Sequence, residues 1–339
     1  MHVTTVGLDL AKDVFQVHGI TSDGAVAFNR AIRRARLLAF FETLPRCLVG
    51  MEACGSAHHW ARELRKLGHE VRLMPAFYVK PYVKRGKTDA VDAAAICEAV
   101  TRPSMRFVEV KEPDQQALLG LHRVRDLVVR QRTQLINMIR GLLREFGHVL
   151  AKGLGAAVRF ARSHLSGEEL DLPGLAKGLI STLCHQLLAL CDRIAMYSKL
   201  IDTHSRLDRR ASRLRSIPGV GAMAASAIVA TIGDGKQFKN GRELAAWLGL
   251  TPLNRSSGGK ERLGRITKKG DHYLRKLLVI GMTSRVQQAR RHPERVDPWT
   301  ARMLERKPAR LATVAMANKT ARIIWAVLTR GSDYRRPAA

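Results

Sequence analysis

Four carboxylates in the first hundred residues have the type and setting for metal-assisted chemistry. Asp9 closes the apolar run Val6-Gly7-Leu8, and Glu52 closes Cys47-Leu48-Val49-Gly50-Met51. Asp89 and Asp92 lie in Lys87-Thr88-Asp89-Ala90-Val91-Asp92-Ala93, a spacing that puts both on one helix face. Acids gathered at one point repel unless a cation sits among them, and hard oxygen ligands suit Mg²⁺ or Mn²⁺. Each acid alone has a plain reading, since acids at a helix start also complement the dipole. A second reactive stretch is Thr251–Gly270, where Ser256-Ser257-Gly258-Gly259 is ringed by Arg255, Lys260, Arg262 and Arg265. Paired glycines allow close approach of backbone to a ligand, so the minimal reading is a phosphate-binding loop. The sharper reading is a serine that attacks phosphorus, and the plain one is a flexible Ser/Gly linker. The chain has no Gly-x-x-x-x-Gly-Lys-Ser/Thr run, which excludes a P-loop ATPase by that criterion. His58 and His59 read as surface or satisfied helix residues.

The elements that must position these groups are legible in outline. Val3–Asp9, Val14–Ile20 and Ala25–Ile32 alternate as strands, with Ser22-Asp23-Gly24 as a turn. Leu48–Glu52 and Glu70–Met74 read as further strands, and Arg34–Leu44 and Ser56–Leu67 as helices. Strands alternating with helices make an α/β domain, and acids at the ends of central strands can meet a following helix. Thr88 is placed to cap the helix bearing Asp89 and Asp92. Pro75 to Lys87 reads as basic and irregular, with Lys84, Arg85 and Lys87 as candidate nucleic-acid contacts. After Pro113 long helices take over. Leu121, Val124, Val128, Gln131, Leu135, Met138 and Leu142 step by three and four, as do Ile180, Leu183, Leu187, Leu190, Ile194, Tyr197, Ile201 and His204. That spacing predicts a helical hairpin or a coiled coil, with Lys152–Pro173 as an irregular tip. Arg206–Arg215 is an arginine-rich helix end, either a phosphate contact or a solvated face. Ile217-Pro218-Gly219-Val220-Gly221 before an apolar helix resembles a helix-hairpin-helix turn, in which Gly219 and Gly221 bring backbone N–H groups to a phosphate. The alternative is a helix turn with no ligand. The expected organisation is residues 1–112, 113–215 and 216–339, α/β followed by α.

Composition narrows the partners. The chain has 339 residues and carries 58 Lys+Arg against 29 Asp+Glu, a formal net charge of +29. Such an excess implies a polyanion, and nucleic acid fits best. Aromatics make up 5%, which favours backbone contact through Arg and Lys over base stacking. No signal peptide opens the chain and no run of about twenty uninterrupted apolar residues occurs, so no membrane partner is expected and the cytoplasm, at the nucleoid, is the expected location. The five cysteines form no Cys-x-x-Cys pair and read as buried free thiols.

Taken together, Gly7-Leu8-Asp9-Leu10-Ala11-Lys12, Met51-Glu52-Ala53-Cys54-Gly55, Lys87–Ala93, Ser216–Gly221 and Gly249-Leu250-Thr251-Pro252 with Ser256-Ser257-Gly258-Gly259-Lys260 resemble, in that order, the insertion sequence 110 family of DEDD transposases. That family also includes the Piv DNA invertase. The run from Ser257 through Asp271, including Lys268 and Lys269, is similar to its 1111 subgroup. The resemblance implies a RuvC-like, ribonuclease-H-type domain, a coiled-coil middle and a helical C-terminal transposase domain. It implies a Mg²⁺-dependent recombinase guided by a bridge-type RNA that pairs with donor and target DNA, acting as a homodimer or homotetramer. The acidic tetrad maps onto Asp9, Glu52, Asp89 and Asp92, and the nucleophilic serine onto Ser257, or onto Ser256 if the register slips by one. The rival readings are a RuvC-like junction resolvase using water, a nucleotide-binding protein of the sugar-kinase type, and an architectural DNA binder.

Overall fold

The computed structural model describes residues 2–335 apart from Arg85, Lys87, Glu169, Ser257 and Glu261. The expected contacts Arg85 and Lys87 and the expected nucleophile Ser257 therefore lie outside the described residues. The chain forms two compact units, Met1–Pro113 and Asp114–Ala339.

The first unit is built on a five-stranded sheet: β1 (Val3–Asp9), β2 (Val14–Thr21), β3 (Val26–Arg33), β4 (Leu48–Glu52) and β5 (Glu70–Met74), in the order β3-β2-β1-β4-β5. β1, β2 and β3 pair antiparallel, while β4 and β5 run parallel to β1. β1 is thus central, as expected. Its alternate residues serve two layers. Val6 and Leu8, with Val49 and Met51 of β4, join a core with α1 (Leu37–Glu42) and α2 (Ala57–Lys66), contributed by Leu37, Phe41, Trp60 and Leu64. The opposite face takes α4 (Asp89–Val100), reached through α3 (Ala76–Val79) and a 3-10 turn over Lys80–Tyr82. The segment Pro75–Lys87, expected to be irregular, is therefore partly helical.

The second unit is helical: α5 (Pro113–Glu145), α6 (Leu154–Leu165), α7 (Gly174–Leu207), α8 (Arg209–Leu214), α9 (Ala222–Ile232), α10 (Gly241–Trp247), α11 (His272–Arg291), α12 (Pro298–Arg306) and α13 (Ala309–Arg330). A two-stranded ribbon, β6 (Pro252–Asn254) and β7 (Leu263–Ile266), stands between α10 and α11. α9 is apolar on nearly every side, and Ala225, Ala227, Ile228 and Ile232 are buried against Leu278, Met316, Ala317 and Ile324 of α11 and α13. A helix apolar all round belongs in a core.

α5 and α7 run antiparallel. Arg125 Nε donates to Ser198 Oγ at 2.8 Å, while farther along Ile139 and Leu143 share a core with Ile180 and Cys184. The expected seam is half right. Ile180, Leu187, Ile194 and Ile201 are buried, but the alternate positions are Cys184 and Ser205 instead of Leu183 and His204. On α5 the buried line is Ile136, Ile139 and Leu143, one residue beyond Leu135, Met138 and Leu142, and Met138 is exposed. A rule that ranks positions by hydrophobicity passes over a buried Cys or Ser, and Ser205 Oγ instead accepts from Arg215 Nη1 at 3.0 Å. Residues 152–173, expected as an irregular tip, contain α6, whose Ala157 and Ala161 close the same core. Arg206–Arg215 is not one helix end: Asp208 interrupts it and caps α8, accepting from the Arg210 and Ala211 amides. α7 and α13 are long and apolar enough, by length and composition, to cross a membrane, yet α13 places Ala312, Met316, Ala321 and Ile324 in the protein core. All five cysteines are free, and Cys54 is exposed where a buried thiol was expected.

Candidate active site

Asp9 and Glu52 occupy equivalent places at the C-terminal ends of two neighbouring parallel strands. β1 and β4 pair in register from Thr5 with Leu48 to Leu8 with Met51, so the next pair is Asp9 and Glu52. Parallel strands lie ~4.8 Å apart, and residues at one level share a face. That face is the one covered by α4. The residues two before each acid are Gly7 and Gly50, and both sit under the helix. A Cβ on Gly7 would overlap the Ala93 carbonyl oxygen, and one on Gly50 would stand 2.7 Å from the Val100 Cβ. The missing side chains let α4 lie against the strands, and Cys97 Sγ reaches the Thr5 carbonyl at 3.8 Å. α4 runs from Ala93 over Gly7 back toward Thr5, so its first turn overhangs the strand ends where Asp9 and Glu52 stand.

That first turn is built as the sequence suggests. Thr88 Oγ1 accepts the Val91 amide at 3.3 Å, and Asp89 and Asp92 follow in the first turn. Two polar residues outside the expected set brace it. Gln16, the register partner of Asp9, donates through Nε2 to Asn29 Oδ1 at 2.6 Å, and Asn29 Nδ2 donates to the Ala90 carbonyl at 3.4 Å. Gln16 lies opposite Ala31 and Asn29 opposite His18, so the two are diagonal neighbours, a relation legible only once the β2–β3 register is known.

The acids feel one another. Burial pushes the Glu52 carboxyl up from the ordinary value, and the charges of Asp9 and Asp92 push it further. The Cys54 thiol is raised too, by desolvation first and then by Glu52 and Asp9. Asp9, Glu52 and Asp92 thus form one electrostatic neighbourhood, while Asp89 is exposed one turn away. Among the described residues no three His, Cys, Asp or Glu side chains stand in a group able to hold a metal ion as they are placed. The donor set nonetheless fits a hard divalent cation: oxygen ligands only, with a carboxylate whose ionised form is penalised by its neighbours.

The stretch Thr251–Gly270, expected as a loop, contains β6 and β7, which pair as an antiparallel ribbon. Arg255 N–H donates to the Arg262 carbonyl at 2.9 Å, and Ser256 N–H to Asn254 Oδ1 at 2.8 Å. Ser256 Oγ accepts the Arg262 amide at 3.0 Å, closing the loop. Gly258 and Gly259 have φ of +55° and +73°, left-handed values that L side chains rarely adopt. Arg255, Lys260, Arg262, Arg265, Lys268 and Lys269 are all exposed around it. The ribbon's base is held by Arg275, which sequence reasoning passed over. This buried guanidinium donates from Nη1 to the Leu248 carbonyl at 2.8 Å and the Lys269 carbonyl at 2.9 Å. Asn318 Nδ2 of α13 donates to the Leu250 carbonyl at 3.1 Å.

Of the other expected contacts, Lys84 is exposed. Gly221 begins α9 with open space where a Cβ would point, whereas a Cβ on Gly219 would meet Met282 of α11. Gly219 also has φ of +85°, so both backbone and packing call for glycine there. His58 is a structural ligand, its Nδ1 accepting the Lys111 amide at 3.2 Å.

Comparison with known proteins gives the family. Residues 6–148 match a DEDD transposase model of the IS110 type, and residues 211–297 match the model described as Transposase IS116/IS110/IS902 family. The chain is 48% identical over 336 residues to a "Probable family 20 transposase" of Pseudomonas aeruginosa, covering 99% of each. It is 38% identical to the transposase of insertion sequence element IS1328 from Yersinia enterocolitica, over 99% of each chain. It is 39% identical to that of IS1111A from Coxiella burnetii, over 98% of this chain and 92% of the relative. The acids gathered by the Gly7–Gly50 face lie within the first match and the serine ribbon within the second, and the chain belongs to the IS116/IS110/IS902 family of transposases, enzymes that move DNA.

Proposed function

We propose that this transposase breaks and rejoins DNA strands through a serine–phosphate linkage, with Asp9, Glu52, Asp89 and Asp92 holding Mg²⁺ (or Mn²⁺) in a RuvC-like, ribonuclease-H-type unit. The observation that carries the reading is the paired placement of Asp9 and Glu52 under the first turn of α4, with Glu52 raised by its acidic neighbours. When bound, the cation supplies Lewis acidity at a phosphate oxygen. The protein's own residues do the rest. Ser257 Oγ gives up its proton and attacks phosphorus, forming an Oγ–P bond while the P–O bond to a deoxyribose oxygen breaks and that oxygen takes up a proton, so the exchange is proton-neutral. The linkage keeps the phosphodiester's bond energy, so rejoining needs no ATP. Arg255, Lys260, Arg262, Arg265, Lys268 and Lys269 hold phosphates beside the serine, and Lys84, Arg85, Lys87 and the α8–α9 turn with Gly219 and Gly221 add further backbone contacts. Ser256 is engaged as a hydrogen-bond acceptor inside the loop, which favours Ser257 as nucleophile.

Sequence choice is assigned to a bridge-type guide RNA pairing with donor and target DNA. A charge of +29 with 5% aromatics suits a protein that grips backbones and leaves base reading to pairing. Sequencing of RNA purified with the native protein tests this, and the absence of any discrete RNA would remove it. The exposed Leu127, Met138, Leu179, Met196 and Leu200 on α5 and α7 support assembly as a homodimer or homotetramer. A monomer in sedimentation at working concentration would end that reading.

The decisive experiment is a suicide DNA substrate. A covalent protein–DNA adduct is expected with the native chain and with Ser256→Ala, and none with Ser257→Ala. Cleavage with no adduct in any variant would replace this mechanism with that of a water-using resolvase.

A further inference from the structure

A cavity of about 420 Å³ opens in the second unit between α12 and α13, far in sequence from the acids. Its floor is one stripe of α13, with Ala315, Asn318, Lys319, Arg322 and Ala326 at helical spacing. Its wall is the Trp299 ring. Three observations argue for a ligand. The volume is in the range of small-molecule sites. The charge is unbalanced: the acid nearest this face, Asp297, is already paired with Arg285 and hydrogen-bonded by Thr300. Lys319 and Arg322 have no ion pair among the described residues. Finally, Lys319 Nζ lies 3.6 Å from the Trp299 ring centroid, and burial holds its pKa below the ordinary value, opposed by the charge of Asp297 and aided by those of Arg285 and Arg322.

A cation–π latch between α12 and α13 would explain the lysine alone. It would require neither a cavity beside the ring nor a second unpaired cation at its edge. A flat aromatic wall with two cations on a transposase matches one ligand chemistry, a planar base carrying a phosphate. We propose that this cavity receives a single unpaired nucleotide, its base stacked on Trp299 and its phosphate held by Lys319 and Arg322. The lysine then acts as a placeholder that leaves the ring for the phosphate when the base arrives. Stacking on one aromatic tolerates any base, so the pocket recognises the unpaired state and not the sequence. Asn318 links the cavity to the ribbon base through the Leu250 carbonyl, so an occupied pocket sits one hydrogen bond from the element that carries the serine. The inference rests on DNA as substrate and stands whether or not the serine and metal readings hold.

The test uses the full chain and four labelled ligands: a DNA duplex with and without one unpaired nucleotide, and the matching RNA pair. The native chain is expected to prefer the DNA with the unpaired nucleotide by about fivefold or more. A preference confined to the RNA pair would overturn the DNA assignment and give the same pocket to an RNA nucleotide. Trp299→Ala should erase the preference, Trp299→Phe should keep most of it, and Arg322→Ala should weaken every ligand. If Trp299→Ala fails to fold, Trp299→Leu keeps apolar bulk without the ring, and 2-aminopurine at the unpaired position should be quenched by the native chain and released in that variant. Equal binding of both members of each pair, or a preference that survives loss of the ring, would overturn the proposal.

Discussion

Glu52 stands at the centre of the acidic neighbourhood, and its charge costs the fold something. Its folded pKa is raised by burial and by Asp9 and Asp92, so the folded state holds its proton to higher pH than the unfolded chain. Stability therefore falls as pH rises from the ordinary carboxylate value through the raised one, and the full cost is present above it. Glu52→Gln is expected to raise the metal-free melting temperature at neutral pH. That gain should vanish when the scan is repeated near pH 4. Added Mg²⁺ should stabilise the native chain and leave the variant unmoved. A Glu52→Gln variant less stable at neutral pH without metal would contradict the repulsion. The types and order of the four acids are readable in the sequence because each ends an apolar run or follows a capping threonine. The brace from Gln16 through Asn29 to Ala90 is not, because it depends on strand register.

At the scale of elements, α5 is fastened to α9 and α11 by a buried histidine. His122 is hydrogen-bonded through Nδ1 to Tyr273 Oη and through Nε2 to Ser226 Oγ, each at 3.0 Å. Burial, with Arg125 second, lowers its pKa to about 4. The unfolded chain takes up this proton near the ordinary value of 6.5, so stability is full above that value and is lost as pH falls toward 4. The loss from this residue should reach about 2 kcal/mol at pH 5. His122→Gln should flatten that part of the stability–pH curve in denaturant titrations, and an unchanged slope would show that another group titrates there. The helices themselves are legible from three–four spacing, and the Thr88 cap from residue type. The seam reads one position off along α5, at Leu135, Met138 and Leu142, and on α7 the rule favours Leu183 over the buried Cys184. α6 and the β6–β7 ribbon escape the pattern because Gly and Ser read as linker, while Arg275 and Asn318 hold the ribbon from distant helices.

For the whole molecule the dominant fact is a twofold excess of cations, 58 against 29. Binding through backbone phosphates releases counterions, so affinity for DNA should fall linearly on a log–log plot against salt. If six or more phosphates are contacted, a loss of roughly a thousandfold is expected between about 50 and 200 mM salt. Replacing Arg262 and Arg265 together should lower the slope by about two. A salt-independent affinity would mean that base contacts, not phosphates, carry the grip.

The bare backbone at positions 7 and 50 has a bearing on how copies of such a mobile element decay. On the proposed mechanism, a descendant can retain every acid, every arginine and the serine and still lose its chemistry to one added methyl at position 7, because the helix that carries Asp92 would have to lift away from the strands. Two hydrogen atoms, invisible to any tally of reactive groups, set the clearance on which the acids depend.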